Sequence, residues 1–438
     1  MHLFRLGSAV VAASLIAVAC GGGGNNNGSS GTKGTLKIGV DLPISGNDAS
    51  DGIPTLNGVR FAVKQANDNG GVQGYKIDIV AKDDVDPAQG KHDPQKGAQN
   101  VQSLVADSSI LGMIGPFNSN VAKAEIPIGN RAGLAMISPA NTNPCLTKDL
   151  PTCSDYHPQD LRPQGKNNYF RVAATDDHQG GAMADYAAKT LNLTKVAVVS
   201  DHETYGKGIA DAFAAQFKAD GGTVVDQQDL DTGTMPGFQS LMTKFKNEGA
   251  EAVYFGGTSS NNGCKMRNQS KGIFTTSNAF LGGDGIVDSH CLDDAADMAT
   301  GVTGTVASAD AANTSSAKST IDAFKQTYSG ANDFGAYTIP GYSATKMLLQ
   351  GIGDAIKSNN GNAPSRAQVL DAVSKLSGVN TPLGTMGFDK NGDTTQQIIA
   401  FYKVAGGGPS GPLACGKNDP KTCWVFVKQV SFGGGGGA

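Results

Sequence analysis

Short apolar runs, each too brief for a helix and each followed by a stretch with helical spacing, recur along this chain. Leu36-Lys37-Ile38-Gly39-Val40, Ile110-Leu111-Gly112-Met113-Ile114 and Leu134-Ala135-Met136-Ile137 are examples from its first part. Apolar runs of this length read as strands buried on both faces, the kind found in parallel sheets. Between the first two, Leu56, Val59, Val63 and Ala66 recur at helical spacing, and Asn69-Gly70-Gly71 supplies a stop. From Thr175 the pattern restarts, with a strand at 195–200, a helix through Ala212, Phe213 and Phe217, and further strands at 223–225, 252–257 and 279–282. Helical spacing returns at Ile321, Phe324 and Tyr328, then over 342–356 and 369–376, and strand-like segments at 398–404 and 424–432 follow. Alternation of this kind predicts α/β architecture. A chain of 438 residues exceeds one typical core. The repeated pattern therefore predicts two lobes, each a mostly parallel sheet flanked by helices.

Residues 115–144 concentrate the chemistry. Gly115-Pro116 ends one strand, Asn118-Ser119-Asn120 leads into a helix over 121–131, and the next strand delivers Ser138, Ala140 and Thr142 at its end. Hydroxyls and small residues thus gather where neighbouring parallel strands finish. Ligands bind at that edge of such sheets, and a helix N-terminus there favours a carboxylate or phosphate.

The N-terminus reads as an export signal. His2 and Arg5 precede an apolar run from Ala9 to Ala19, too short to span a bilayer core of roughly 30 Å. Ala17-Val18-Ala19-Cys20 resembles a lipoprotein cleavage site, although Ala17 stands where such sites usually carry Leu, so ordinary cleavage nearby stays open. We expect a signal peptide over 1–20, lipidation and membrane anchoring at Cys20, and a flexible tether over 21–35 with a reach of about 20 Å. No later apolar run is long enough for a membrane-spanning helix, and the glycine-rich 433–438 tail is expected to be disordered.

The remaining cysteines suit an oxidising compartment. Cys145 and Cys153, Cys264 and Cys291, and Cys415 and Cys423 fall as sequence-local pairs. Other connectivities are formally possible, but the first and last pairs bracket polar, proline-bearing insertions with little core of their own. Each short staple would add ~2–3 kcal/mol. No CxxC occurs and no His lies at ligand spacing to a Cys, so no metal is expected.

A net charge of −4 gives no basic footprint for nucleic acid. There is no HExxH, GxSxG or P-loop, and the six His are scattered, which argues against an enzyme and against any cofactor. Asp83-Asp84 and Asp176-Asp177 look like paired carboxylates, but neighbours in a strand point to opposite faces. Turn and cap roles are expected for them. Asp389-Lys390-Asn391-Gly392-Asp393 opens like a calcium loop, yet Thr394 and Ala400 stand where such a loop needs Gly and Glu, so a hairpin turn is expected.

Taken together, several stretches carry a resemblance. Ile38-Gly39-Val40 with Ser45-Gly46, Asn67-Asp68-Asn69-Gly70-Gly71-Val72 with Gly74, Asp83-Asp84, the 113–144 stretch, DHETYGKG at 201–208 and Tyr254-Phe255-Gly256-Gly257 follow in a specific order and spacing. In this the chain resembles the branched-chain (leucine/isoleucine/valine) amino-acid-binding proteins of bacterial ABC importers. The resemblance covers nearly all of the chain after the tether.

It implies the type I periplasmic-binding-protein fold, two lobes joined by three crossovers, with 36–174 and 307–395 in lobe 1 and 175–306 and 396–432 in lobe 2. It also implies that Ser119 and Thr142, with the Ala140 backbone between them, grip a ligand carboxylate, and that Asp284 holds the ammonium beside Tyr205. Read without it, Ser119 and Thr142 suit helix caps equally well, Asp284 a turn, and Tyr205 a packing residue. Where the family often carries aromatics in the side-chain pocket, this chain has Thr258 and Asp51, and Asp284 is one methylene shorter than the usual glutamate.

The implied function is capture of an amino acid or similar small carboxylate by hinge closure. Delivery to a membrane permease with its ATPase would follow. A ligand-sensing module of a signalling system is the alternative on the same fold.

Overall fold

The computed structural model of the chain describes residues 32–330, 332–406 and 413–432. The signal segment, Cys20, most of the tether and the 433–438 tail lie outside the described residues. No described helix is long and apolar enough to cross a membrane.

The first sheet is built from β1 (Gly34–Leu42), β2 (Tyr75–Asp83), β3 (Ile110–Ile114), β4 (Ala135–Ser138) and β5 (Tyr169–Arg171). Its order is β2-β1-β3-β4-β5, parallel throughout. The apolar runs account for this: every residue of β3 and β4 is buried, as a strand covered by helices on both faces requires. The second sheet contains β6 (Lys195–Ser200), β7 (Thr223–Asp229), β8 (Ala252–Gly256), β9 (Phe280–Gly282), β10 (Val302–Val306), β11 (Ile398–Gly406) and β12 (Thr422–Ser431). Its order is β12-β11-β10-β9-β8-β6-β7, with β11 antiparallel to both of its neighbours.

The chain passes between the sheets after β5, again after β10 and once more before β11. In the middle passage the helices Lys318–Thr327, Thr338–Ser358 and Arg366–Val373 return to the first sheet. Ile321, Phe324, Leu348, Ile352, Ile356, Val369 and Val373 join the same core as Ile38, Val40 and Ile114. A separate core around Val198, Phe213, Tyr254, Phe280 and Phe401 fills the second sheet. In each sheet the first strand lies between the next two in sequence, β1 between β2 and β3, and β6 between β7 and β8. Such reversals of strand order open a crevice at the strands' C-terminal ends, where ligands bind.

Disulfides join Cys145 to Cys153, Cys264 to Cys291 and Cys415 to Cys423, the pairing their spacing suggested. The calcium-like stretch is a hairpin turn. Phe388 bridges Thr394, and the Gly392 amide donates to the Asp389 carbonyl at 3.0 Å.

The turn role expected for Asp83-Asp84 holds only for Asp83, whose Oδ1 accepts from the amides of Ile44 at 3.0 Å and Val85 at 3.2 Å. Asp84 is instead fully buried with Asp41 and Glu125, their carboxylate oxygens lying within 4.8 Å of one another. The missed signal is that β1 and β2 end side by side under the 119–131 helix that carries Glu125. Burial raises all three carboxyls, Asp41 to about 6 and Asp84 and Glu125 well above their ordinary values, aided for Glu125 and Asp84 by the Asp41 charge.

Because these groups bind protons more tightly folded than unfolded, their contribution is complete at acid pH, and the Asp41 share is lost as pH rises through about 6. Unfolding free energy in urea should therefore fall on the order of 2 kcal/mol between pH 5 and pH 8. Glu125→Gln should flatten that slope. An unchanged slope would show that the cluster does not titrate in this range.

Candidate functional site

The first-lobe side of the site is built by two turns at the ends of β3 and β4. Gly115 has φ +119, and a Cβ there would run into the Asp41 carbonyl, so only glycine lets the chain leave β3 this tightly. The turn places Ser119 at the first position of the helix Ser119–Arg131, where the backbone N–H groups are free of intrahelical partners. Ser119 is not the N-cap; Asn118 is. After β4 the Ser138 hydroxyl donates to the Pro116 carbonyl at 2.7 Å and accepts from the amides of Ala140 at 3.2 Å and Asn141 at 2.9 Å. This ties the Ala140–Thr142 turn to the Gly115 turn. The Asn143 amide closes the pair by donating to Ser119 Oγ at 3.4 Å.

Arg171, wholly buried at the end of β5, holds the turn from behind. Its Nη1 donates to the carbonyls of Asn143 at 2.7 Å and Asn141 at 3.3 Å, Nη2 donates to Thr147 Oγ1, and Nε pairs with Asp393 at 2.6 Å. Charge-assisted bonds of this kind are among the stronger ones. Sequence reading gave Arg171 no role, because its partners lie on the 141–147 loop and more than 200 residues away at Asp393.

The second half comes from the other lobe. Tyr205 is the second residue of the helix Thr204–Ala219, and its hydroxyl donates to Asp284 Oδ1 at 2.9 Å and accepts from the Gly285 amide at 3.1 Å. Gly283 makes this approach possible, since a Cβ there would collide with the Tyr205 hydroxyl. Gln179 Nε2 adds a bond to Asp284 Oδ1 at 2.8 Å, and the Tyr337 hydroxyl donates to Oδ2 at 2.6 Å. Tyr337 directly precedes the Thr338–Ser358 helix of the first core, so its bond crosses between the lobes. Burial raises the Asp284 carboxyl, with Tyr337, Gln179 and Tyr205 opposing. A turn residue would not gather three side-chain donors.

Asp176 corrects a second expectation. It opens the helix Asp176–Asp185, but its carboxylate caps nothing, and no hydrogen bond of good geometry reaches either oxygen among the described residues, although the Thr142 hydroxyl lies beside it. Burial and the Asp284 charge raise it well above the usual carboxylate range, against the Thr142 hydroxyl and Arg171. Its backbone N–H donates to the Thr142 carbonyl at 2.9 Å, which places it directly beside the 140–142 turn. Asp177 does not cap either: it lies in the first turn of the helix after the N-cap Thr175 and pairs with Lys148 at 3.3 Å.

Thr258 stands apart from this set. Its amide donates to Asp201 Oδ2 at 3.2 Å and its hydroxyl meets Ser260 Oγ at 2.9 Å. The site residues Ser119, Ala140, Thr142, Tyr205, Thr258 and Asp284 are all between 1% and 8% exposed, so the lobes are closed over them.

A polar latch spans the lobes beside the site. His92 and Lys91 of the first lobe meet Glu203 of the second, His92 Nε2 at 2.7 Å and Lys91 Nζ at 3.3 Å. His92 Nδ1 faces Asp48 Oδ2 at 3.1 Å, and Lys91 also donates to Asn261 at 2.7 Å. Asn120 Nδ2 donates to Glu203 at 3.0 Å, and Asn143 Nδ2 to the Thr204 carbonyl at 2.7 Å. Nothing in the spacing of the histidines marked His92 for this position.

The comparisons with known proteins agree with the geometry. The family described as periplasmic binding protein matches residues 35–409. The Leu/Ile/Val-binding protein BraC3 of Rhizobium johnstonii is 30% identical over 372 residues, 85% of this chain and 92% of its own. An amino acid binding protein of Pseudomonas aeruginosa is 30% identical over 84% of this chain and 89% of its own.

Among solved structures, the leucine binding protein LivK of Thermotoga maritima superposes with a TM-score of 0.72 at 22% identity, covering 90% of this chain and 99% of that one. LivJ of Streptococcus pneumoniae, a branched-chain amino acid transporter substrate binding protein in complex with isoleucine, gives 0.71 at 23%, covering 90% and 100%. These two show that the fold is the type I arrangement. With a family match across most of its length and two lobes meeting over the Ser119 and Thr142 turns and Asp284, this chain belongs to the periplasmic binding protein family.

Proposed function

We propose that the protein captures an amino acid between its lobes and presents it, closed, to a membrane permease whose ATPase drives import. The observation that carries this reading is the convergence of opposite chemistries across one cleft. The 119–131 helix N-terminus and the Thr142 turn offer donors to an anion from one side. Asp284 and Asp176 offer buried carboxylates to a cation from the other. A zwitterionic α-amino acid satisfies both halves at once.

In this reading Ser119 Oγ, Thr142 Oγ1 and the Ala140 N–H hold the carboxylate, the last exchanging its bond to Ser138 for one to the ligand. Asp284, oriented by Tyr205, Gln179 and Tyr337, holds the ammonium, and Asp176 shares it. Thr258 lies at the side-chain end. Residues 36–174 and 307–395 form lobe 1 and residues 175–306 and 396–432 form lobe 2, a division supported by the two sheets and their separate cores.

Family membership implies export, and we assign residues 1–20 as the signal and Cys20 as the lipid anchor. Structural matches named as ABC transporter substrate-binding proteins favour transport over sensing. The relatives are named for binding, not for turnover.

Calorimetry with amino acids, their α-amides and simple carboxylates tests the reading. Binding should require the free α-carboxylate, and Ser119→Ala should weaken it about tenfold, the worth of a charge-assisted hydrogen bond. Equal binding of amides and acids would overturn the assignment of Ser119 and Thr142.

A further inference from the structure

Several buried carboxylates in this protein have partners that account for them. Asp393 pairs with Arg171 at 2.6 Å, and Asp284 accepts from three side chains. Asp288 accepts from Ser259 Oγ and from the Cys291 amide at 2.7 Å. Asp41, Asp84 and Glu125, which make none of the contacts of the ligand cleft, break this pattern.

All three are 0% exposed, and an oxygen from each lies within 4.8 Å of the others. Asn100 Nδ2 donates to Asp41 Oδ1 at 2.9 Å. The remaining five carboxylate oxygens, Asp41 Oδ2 and both of Asp84 and Glu125, receive no hydrogen bond from any described donor. The contact open to them is carboxyl to carboxyl, between Asp41 and Glu125. Charged groups nearby do not close the gap. Asp48 and Asp83 add negative charge, and the Lys82 ammonium reaches none of the five oxygens. His92 has both ring nitrogens committed, to Asp48 at 3.1 Å and to Glu203 at 2.7 Å.

Burying one unpaired carboxylate is costly, and three together repel one another as well. Protons relieve the charge, but even one on each carboxyl supplies only three donors for the five oxygens. A cation satisfies the charge and the lone pairs together. The donor set is carboxylate oxygen throughout, which selects a hard ion and disfavours zinc or copper. Calcium takes oxygens at about 2.3–2.6 Å and accepts both oxygens of one carboxylate, so a single ion fits donors this far apart. Magnesium keeps several of its waters. Packing here is too close to welcome them, since a Cβ on Gly97 of the helix Pro94–Ala106 would lie 2.6 Å from Glu125 Oε1.

We propose that Asp41, Asp84 and Glu125 form a calcium site that fastens the helix Ser119–Arg131 to the ends of β1 and β2. Cysteine and histidine spacing did not bear on it, because its ligands are carboxylates far apart in sequence. The proton-linked stability described for these three groups is that of the cation-free chain. Calcium competes with those protons, as metal binding to carboxylates does in general.

The test is scanning and titration calorimetry of the exported form, residues 21–438, stripped of divalent ions with a chelator and then given calcium chloride. At pH 8, calcium at about 1 mM should raise the unfolding temperature by about 3–5 °C, and titration should show one equivalent bound with a Kd on the order of 10 μM. Magnesium chloride should give a smaller shift. Asp84→Asn and Glu125→Gln should each abolish the calcium shift, with circular dichroism at pH 5 verifying their fold. Asp389→Asn, in the calcium-like hairpin, should leave it unchanged. No calcium binding and no shift in the unsubstituted protein would assign the cluster to protons alone and overturn the inference. A shift that survives in both Asp84→Asn and Glu125→Gln, or that is lost in Asp389→Asn, would place the ion elsewhere and overturn it equally.

Discussion

Asp284→Ala is expected to lower ligand affinity by about a hundredfold or more, with the fold intact. The size follows from what the carboxylate does. It is the shared acceptor of Tyr205, Gln179 and Tyr337 and, in the function we propose, the counter-charge for the ligand's ammonium. Removing one partner of a buried, hydrogen-bonded charge pair costs about 3–5 kcal/mol, because the remaining groups stay buried and unpaired. Some of that cost is felt by the empty protein as well, since its donors also lose their acceptor, and only the difference reaches the binding constant.

Tyr337 adds a second contribution. Its bond to Asp284 crosses between lobes, so the alanine variant also weakens the closed state that retains the ligand. Asp284→Asn separates the two effects. An amide keeps one acceptor oxygen and carries no charge. Turned toward Tyr337, that oxygen retains the bond between the lobes, so closure should survive better than in the alanine variant while affinity for the ammonium drops. Calorimetry on both variants, with circular dichroism to verify the fold, reads the outcome. Unchanged affinity in Asp284→Ala would mean that the ligand has no ammonium at this position.

The contrast between Asp284 and Asp176 shows what was legible in the chain itself. The apolar runs marked the centres of both sheets, because a strand buried on two faces is mostly apolar, and β3, β4 and β8 are wholly buried and apolar apart from Ser138 and the Tyr254 hydroxyl. The 115–144 stretch was legible for the same local reason: Gly115, Ser119, Ser138 and Thr142 lie close in sequence as well as in space. Asp284 was found through resemblance and not through chemistry, since Gly-Gly-Asp-Gly reads as a turn.

Asp176, Arg171, Gln179, Tyr337 and His92 were missed because their roles depend on partners brought together only by the crossings between sheets. Arg171 finds Asp393, and His92 finds Glu203, across more than a hundred residues of chain. Adjacent acids in a strand point to opposite faces. That holds within a strand but says nothing about Asp84 meeting Glu125 from a helix above it.

His92 supplies the second large effect, a pH dependence of ligand affinity. Burial works against its charge, yet Glu203 and Asp48 together push the imidazolium well above the ordinary histidine value. Burial likewise opposes Glu203, while His92 and Lys91 hold it down to about 2. The charged and titratable groups facing His92 are Asp48 and Asp84 from the first lobe, Glu203 from the second and Lys91 alongside. Opening the lobes removes Glu203 but leaves Asp48, so the histidine value falls on opening.

The sign follows from linkage. The closed form holds the His92 proton more tightly than the open form, so the latch contributes fully below the open-state value. It is lost as pH rises through the higher closed-state value. On the acid side it persists until Glu203 protonates near 2. Affinity should accordingly hold across neutral pH and weaken on the alkaline side, with proton uptake on binding between the two histidine values. Calorimetry in buffers of different ionisation enthalpy measures that uptake directly.

Glu203→Gln should weaken binding about thirtyfold at neutral pH, corresponding to ~2 kcal/mol of lost closure, and should abolish the proton uptake. Lys91→Ala should weaken binding less and leave the uptake in place, because Lys91 makes only the longer contact to Glu203. Proton uptake that survives in Glu203→Gln would assign the titration to another group and remove His92 from the closure mechanism.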